Sequence, residues 1–329
     1  MMRRIRRYLD SHPQQRANSL ASLVGTAALT FLYLETPPVP AGADVLRLKP
    51  KMASIVSIIA RKPSLPTLET SEPSGDAVVS QPAAAPTPEQ LIAQALQKKI
   101  DRLKAGVKFL EQTSDYTAVF TKQELVAGEL LDEQEIQLKV RHAPFSVYLK
   151  WMTGDKGREV LYVDGQNEGR MVVHAGGWKA RLPALTIDPH SSLAMGESRY
   201  PVTKAGILEL AKTMIGVHQT DIAVNNLASC IQGEDQEFGG RPCECFQVEY
   251  RDQKVSPTYR KSITLIDKEW GIPVYAKNYA WPTDSTASAD PAEVDEATLV
   301  EFYSYTEIEL SPQFADADFD RSNEEYRFR

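Results

Sequence analysis

The sequence lacks the motifs that mark most enzyme classes. It has no Gly-rich loop with phosphate-binding spacing, no His-x-x-x-His pair for a helical metal site and no Gly-x-Ser-x-Gly elbow around a serine. Its 329 residues include only five histidines and three cysteines. We therefore predict no catalytic residue, no metal and no cofactor, and a protein that is not an enzyme.

One loose set of ionisable residues is a candidate metal or acid–base site. It consists of His142, His174, Asp188, His190 and His218. These residues fall on different predicted elements and show no metal-binding spacing. We expect no site from them.

The three cysteines are Cys230, Cys243 and Cys245, an odd number that leaves one thiol over if a disulfide forms. A Cys-x-Cys pair with one more cysteine lacks a fourth ligand for zinc. The strand that ends at Gln232 and the strand that starts near Cys243 are expected to pair as a hairpin. This pairing favours a disulfide from Cys230 to Cys243 or Cys245, and we take Cys230–Cys243 as the candidate. Free thiols and a metal site are the alternatives.

Acidic residues outnumber basic residues outside the N-terminus. Five arginines and one aspartate precede residue 19 and give that end a net charge of +4, so a chain of net charge −7 leaves −11 for the rest. Phosphate binding needs a concentrated basic surface. The acidic body therefore argues against nucleic acid as a partner.

No apolar run reaches the roughly twenty residues of a membrane span. Residues 20–34 form an uncharged, mostly apolar run of about fifteen residues after the basic end, and Ala41-Gly42-Ala43 suits signal peptidase. We predict that residues 1–43 are a cleaved signal peptide, or else an N-terminal anchor retained in the membrane. No cysteine lies nearby for a lipoprotein anchor. The protein is expected in the periplasm or cell envelope.

Proline is concentrated in residues 44–86, which we predict to be a disordered linker. The folded domain is predicted to span residues 87–329. It begins with a helix that Thr87 and Gln90 cap, and its apolar stripe runs to Leu110. Thr203 is expected to start a second helix that Gly216 ends. Residues 283–297 are predicted to be an acidic loop, and residues 311–329 an acidic tail whose aromatic residues dock on the body.

Strands dominate the rest of the domain. Residues 145–151 alternate apolar and polar side chains, and turns rich in Gly, Asp and Asn separate them from the runs 159–163 and 171–174. About ten such strands with two long helices predict an α+β fold. In it, a large antiparallel sheet curls around the helices and leaves space for a ligand cavity.

Three segments carry a resemblance to a domain-of-unknown-function family of secreted bacterial proteins. They are residues 157–165, 185–189 and 199–206. The order of elements, and the acid-x-x-x-Gly-x-Pro hairpin from Asp267 to Pro273, resemble the LolA/LolB/LppX lipoprotein-carrier superfamily. That resemblance implies a half-barrel with an apolar cavity for acyl chains, and it carries over no catalytic residues.

The leading hypothesis is an envelope protein that binds a lipid or lipoprotein acyl chain without chemistry. The candidate cavity residues are Phe120, Leu149, Trp151, Met171, Met195 and Met214. A second hypothesis is a structural or protein-interaction module with a filled core and no ligand. A third is a hydrolase with an unrecognised site.

Overall fold

The computed structural model describes residues 87–328 except 224–227, 285–287 and 289. The predicted leader, residues 1–43, and the predicted linker, residues 44–86, lie outside the described residues. None of the helices within the described ranges is both long enough and apolar enough to cross a membrane.

Four α-helices and thirteen strands form the described part of the chain. The helices are α1 (Pro88–Glu111), α2 (Ser192–Met195), α3 (Ile207–Ala223) and α4 (Pro291–Ala297). The strands are β1 (Asp115–Val126), β2 (Glu129–Leu130), β3 (Gln134–His142), β4 (Phe145–Trp151), β5 (Glu159–Val163), β6 (Met171–His174), β7 (Leu185–Ile187), β8 (Ala228–Gln232), β9 (Gln236–Phe238), β10 (Arg241–Tyr250), β11 (Lys261–Asp267), β12 (Pro273–Tyr279) and β13 (Leu299–Leu310).

All these strands belong to one antiparallel sheet. Its order is β7-β6-β5-β4-β3-β1-β13-β12-β11-β10-β8, with β2 beside β1 and β9 beside β10. The first and second halves of the chain meet where β1 pairs with β13, Phe120 opposite Tyr305. The predicted α+β class with a large antiparallel sheet around helices is confirmed.

Helix α1 begins where the sequence predicts. The Thr87 hydroxyl accepts a hydrogen bond from the Gln90 amide, and the Gln90 side chain accepts one from the Thr87 amide. Its stripe buries Leu96, Ile100 and Leu103 against α3 and the sheet. The two caps satisfy amides that otherwise lack partners at a helix start, so this boundary is encoded locally.

Helix α3 differs from its prediction at both ends. Thr203 lies in a 3-10 turn (Val202–Lys204) rather than at a cap, and the helix begins after Gly206, whose φ is +101°. Gly216 lies inside the helix, which continues to Ala223. The predicted ending required a left-handed glycine, but Gly216 has no positive φ.

The candidate disulfide between Cys230 and Cys243 does not form, and all three cysteines are free and buried. Cys230 faces Val248 across the β8–β10 pair, because β9 occupies the part of β10 nearest Cys243. Val248 lies five positions from Cys243 along β10, a distance of roughly 17 Å. A disulfide needs Cα atoms within about 7 Å.

The acidic segment 283–297 was expected to be a loop, but its last seven residues form helix α4. Asp290 caps the helix through the Ala292 amide at 2.9 Å, and Pro291 fits the first turn. The Asp295 carboxylate then accepts hydrogen bonds from Lys261 at 2.7 Å and from Arg260. A local cap and tertiary ion pairs together stabilise this short helix.

The acidic tail docks as predicted. Phe319, Tyr326 and Phe328 are at least 95% buried, and they pack on the outer face of the sheet, defined by Tyr148, Leu161, Val163 and Val172. The rings of Tyr148 and Tyr326 stack with centroids 4.0 Å apart. The outer face is therefore covered, and its strands carry buried residues on both faces.

The hairpin between β11 and β12 packs directly on the backbone of α1. A Cβ placed on Gly106 would lie 2.2 Å from the carbonyl oxygen of Gly271, whose own φ is +70°. The buried Asp267 carboxylate shapes this turn by accepting hydrogen bonds from the amides of Glu269 at 2.9 Å and Trp270 at 2.7 Å. Only glycine permits so close an approach of two backbones.

Replacing Gly106 with alanine tests this contact. Because the added methyl group collides with backbone rather than a flexible side chain, we expect Gly106→Ala to lower the free energy of unfolding by about 1–3 kcal/mol. Gly216→Ala is the matched control, since its Cβ meets no atom within 4 Å and alanine favours a helix interior by about 0.5–1 kcal/mol. Urea unfolding measures both. Equal stability of the two variants would contradict the close contact.

Candidate functional site

A cavity of about 440 Å³ lies between the sheet and the helices. One wall is the inner face of the sheet, the face that carries Phe120, Leu138 and Leu149. The opposite wall is α3 with residues 189–206 before it. Pairing Phe120 with Ile136, and Leu138 with Leu149, aligns apolar side chains across β1, β3 and β4. The volume falls within the range of small-molecule sites.

Five of the six candidate cavity residues line this space. They are Phe120, Leu149, Trp151, Met171 and Met214. Met195 does not line it, and its neighbour Ala194 does. Consecutive residues on a helix point about 100° apart, so the one-turn helix α2 directs Ala194 toward the cavity and Met195 away from it. That these side chains hold a lipid stays a prediction.

One end of the cavity is polar. There the Lys122 ammonium donates to the Glu124 carboxylate at 2.7 Å and to the Ser198 hydroxyl at 3.3 Å. The Tyr303 hydroxyl donates to the other Glu124 oxygen at 2.6 Å. Lys122 and Glu124 are both more than 90% buried. We call this set, together with the groups around Glu301, the polar cluster.

Glu301 is the centre of the polar cluster. Its carboxylate accepts hydrogen bonds from Arg199 at 2.8 Å, Asn278 at 2.7 Å and Tyr259 at 3.0 Å. The Tyr200 hydroxyl adds another at 3.2 Å. Burial, and after it the Glu301 charge, raise the pKa of Tyr200. The phenol therefore stays protonated and remains a donor to the carboxylate.

Sequence reasoning missed the polar cluster. The signal was the two-residue alternation that places Lys122 and Glu124 on the same face as Phe120. Arg199 and Tyr200 lie in a segment that carried the family resemblance. An alternation read only for apolar residues assigns such charged positions to solvent.

A second buried set lies where α3 meets β10. His218 lines the cavity, and its Nδ1 lies 3.2 Å from the Asp221 carboxylate, which also accepts a hydrogen bond from Tyr250 at 2.8 Å. Burial, and then the Lys99 ammonium, lower the pKa of His218 to about 4. Burial lowers the pKa of the fully buried Lys99 to about 8. His218 is therefore neutral at pH 7.

The remaining histidines of the candidate set do not form a metal site with His218. His142, the last residue of β3, has its Nδ1 2.7 Å from the Thr113 carbonyl oxygen, and His190 is exposed in a loop. In the described ranges no group of three or more His, Cys, Asp or Glu side chains is placed to hold a metal ion. Burial raises the pKa of Cys230 and Cys243 to about 11, which disfavours the reactive thiolate.

Residues 113–328 match the model of the family described as protein of unknown function (DUF1571), and the chain belongs to that family. The predicted membership of a domain-of-unknown-function family is confirmed. No curated protein matches the chain.

Solved structures resemble the described fold at low identity. The Pseudomonas aeruginosa MucA/MucB complex matches at 16% identity and a TM-score of 0.37, over 68% of this chain and 60% of that one. Mycobacterium tuberculosis lipoprotein LppX matches at 9% and 0.37, over 68% and 99%. A LolA superfamily protein from Nitrosomonas europaea matches at 8% and 0.28, over 67% and 96%. At these TM-scores nothing about ligand or partner follows for this chain.

The depressed pKa of His218 predicts a loss of stability in acid. An unfolded histidine takes up its proton near pH 6.5 and the native one near pH 4, so protons favour the unfolded state as pH falls between these values. This contribution amounts to roughly 3 kcal/mol. Thermal unfolding from pH 7.5 to 4.5 should therefore show a smaller loss of Tm for His218→Gln than for the parent chain.

The exposed His190 supplies the control, because His190→Gln should leave the pH dependence of Tm unchanged. The groups facing His218 are Asp221, Tyr250 and Lys99, and all three are retained in both variants. A His218→Gln curve that runs parallel to the parent's down to pH 4.5 would show that His218 is not buried in its neutral form.

Proposed function

We propose that this protein binds the acyl chain of a lipid or of an acylated partner in the cavity, and that it does so without chemistry. The observation that carries this proposal is the apolar lining of a space bounded by one sheet face and a helix. Each buried methylene contributes about 0.8 kcal/mol, so burial of about ten methylenes supplies the roughly 8 kcal/mol of a micromolar complex before the cost of association is met.

The form of the lining supports a flexible ligand. Met171 lines the cavity from β6, and Met214 lines it from α3. Unbranched thioether side chains adjust to irregular apolar shapes. Phe120 and Tyr305 stack at 4.9 Å and add a flat aromatic wall. Such a surface fits a methylene chain better than a rigid polar substrate.

Export to the cell envelope is part of the proposal. It is supported by the basic N-terminus, the short apolar run and the proline-rich residues 44–86, all of which are sequence features. A retained N-terminal segment would hold the cavity-bearing domain near the membrane. A cleaved one would release it to the periplasm.

A second candidate function is a protein-interaction module. It is favoured by the exposed apolar residues Trp178, Leu182 and Leu185, which are 72%, 54% and 56% exposed. Leu185 belongs to β7, the strand at one end of the sheet order. An edge strand flanked by exposed apolar side chains is suited to pairing with an extended peptide.

Filling the cavity tests the lipid proposal. Ala194 lines the cavity from α2, so Ala194→Trp should occupy acyl space and weaken binding at least tenfold. Leu193→Trp is the matched control, because Leu193 is 56% exposed on the same turn and does not line the cavity. Fluorescence titration of the full chain with a fluorescent monoacylglycerol and a fluorescent fatty acid measures both variants.

Native mass spectrometry with organic extraction complements the titration, and a lipid that co-purifies with the parent chain should be absent from Ala194→Trp. If neither probe binds the parent chain and no lipid co-purifies, the cavity is not an acyl site. The interaction module then becomes the better reading.

A further inference from the structure

The polar cluster is balanced in charge. Two carboxylates, Glu124 and Glu301, face two cations, Lys122 and Arg199. All four line or adjoin the same end of the cavity, next to Phe120. The apolar part of the cavity therefore ends against a set of charges whose sum is zero.

The two carboxylates already have their partners. Glu124 accepts from Lys122, Ser198 and Tyr303, and Glu301 accepts from Arg199, Asn278 and Tyr259. The Arg199 guanidinium also donates to the Leu125 carbonyl at 3.1 Å. An incoming anion would therefore meet cations whose charge the internal carboxylates already neutralise, and its own charge would be buried without compensation.

A neutral polar group meets no such cost. The Lys122 ammonium has three N–H donors and uses one toward Glu124 and one toward Ser198, which leaves the third for a carbonyl oxygen. The Tyr303 hydroxyl donates to Glu124 and keeps its lone pairs for a ligand hydroxyl donor. The polar cluster thus offers a ligand one N–H donor on Lys122 and acceptor lone pairs on Tyr303, but no unpaired charge.

We infer that the cavity selects acyl chains with an uncharged polar head, an ester with free hydroxyl groups, over free fatty acids. This inference rests on the proposed acyl-binding function and names its ligand class. The head lies at Lys122 and Tyr303, and the chain extends along Phe120 toward Leu149.

The test compares two ligands of equal chain length. Isothermal titration calorimetry of the full chain at pH 7.5, below micelle-forming concentrations, measures 1-monolaurin, which is neutral, and laurate, which is ionised. We expect monolaurin to bind the parent chain at least tenfold more tightly than laurate, because an uncompensated buried charge is costly.

Glu124→Gln should abolish the preference. Removing the carboxylate leaves the Lys122 charge without its partner, so laurate should gain at least tenfold in affinity while monolaurin changes little. Glu197→Gln is the matched control: Glu197 also lines the cavity, but it pairs with Arg158 outside the polar cluster, so the same charge change there should leave the preference intact.

Lys122→Met keeps the test decisive if Glu124→Gln fails to fold. Without the ammonium, Glu124 repels laurate further and monolaurin loses its donor, so both ligands should weaken. Equal or tighter binding of laurate to the parent chain, or unchanged selectivity in a folded Glu124→Gln, would overturn the inference while leaving the acyl-binding function in place. Binding of neither ligand would remove both.

Discussion

The close contact between Gly106 and Gly271 fixes the distance between helix α1 and the sheet. Around it, the Arg102 guanidinium donates to the Lys268 carbonyl and to Glu244, both at 2.6 Å, and Phe109 stacks on Trp270. Helix α3 packs against α1, so this contact also helps to set the distance between α3 and the sheet. The cavity is the space that remains between α3 and the inner face of the sheet.

Burial of both faces of the sheet limits what alternation reveals. A half-buried strand shows apolar residues at every second position, but β5 is buried at all five positions because the tail covers its outer face. On the inner face, alternation misleads in another way, because some of the buried residues are charged. Lys122, Glu124 and Glu301 are charged yet buried. Some of their partners, such as Ser198 for Glu124 and Arg199 for Glu301, lie more than seventy residues away along the chain.

The sequence therefore predicted those helices and strands whose formation depends on nearby residues. The capping box at Thr87 and the apolar stripe of α1 specify that helix without tertiary help, and the strands of residues 145–174 follow from alternation and turn residues. The end of α3 depended on the backbone conformation of Gly216, and the Cys230–Cys243 bridge depended on the register between β8 and β10. Tertiary contacts determine both. Gly216 remains helical, and β9 displaces Cys230 along β10. The polar cluster joins β1, β12, β13 and residues 198–200, which no single stretch of sequence displays together.

Buried charge distinguishes the polar end of the cavity from its apolar walls. A pair of carboxylates in an apolar pocket is stable only when each is bonded to a cation or to several neutral donors. Tyr200, Tyr259 and Tyr303 supply those donors, and burial raises the pKa of each so that the phenols stay protonated. The network therefore holds its charges without help from a ligand. If the proposed acyl ligand binds here, a site that is already neutral when empty favours a head group that brings hydrogen-bonding capacity and no charge, and the apolar walls would hold its chain.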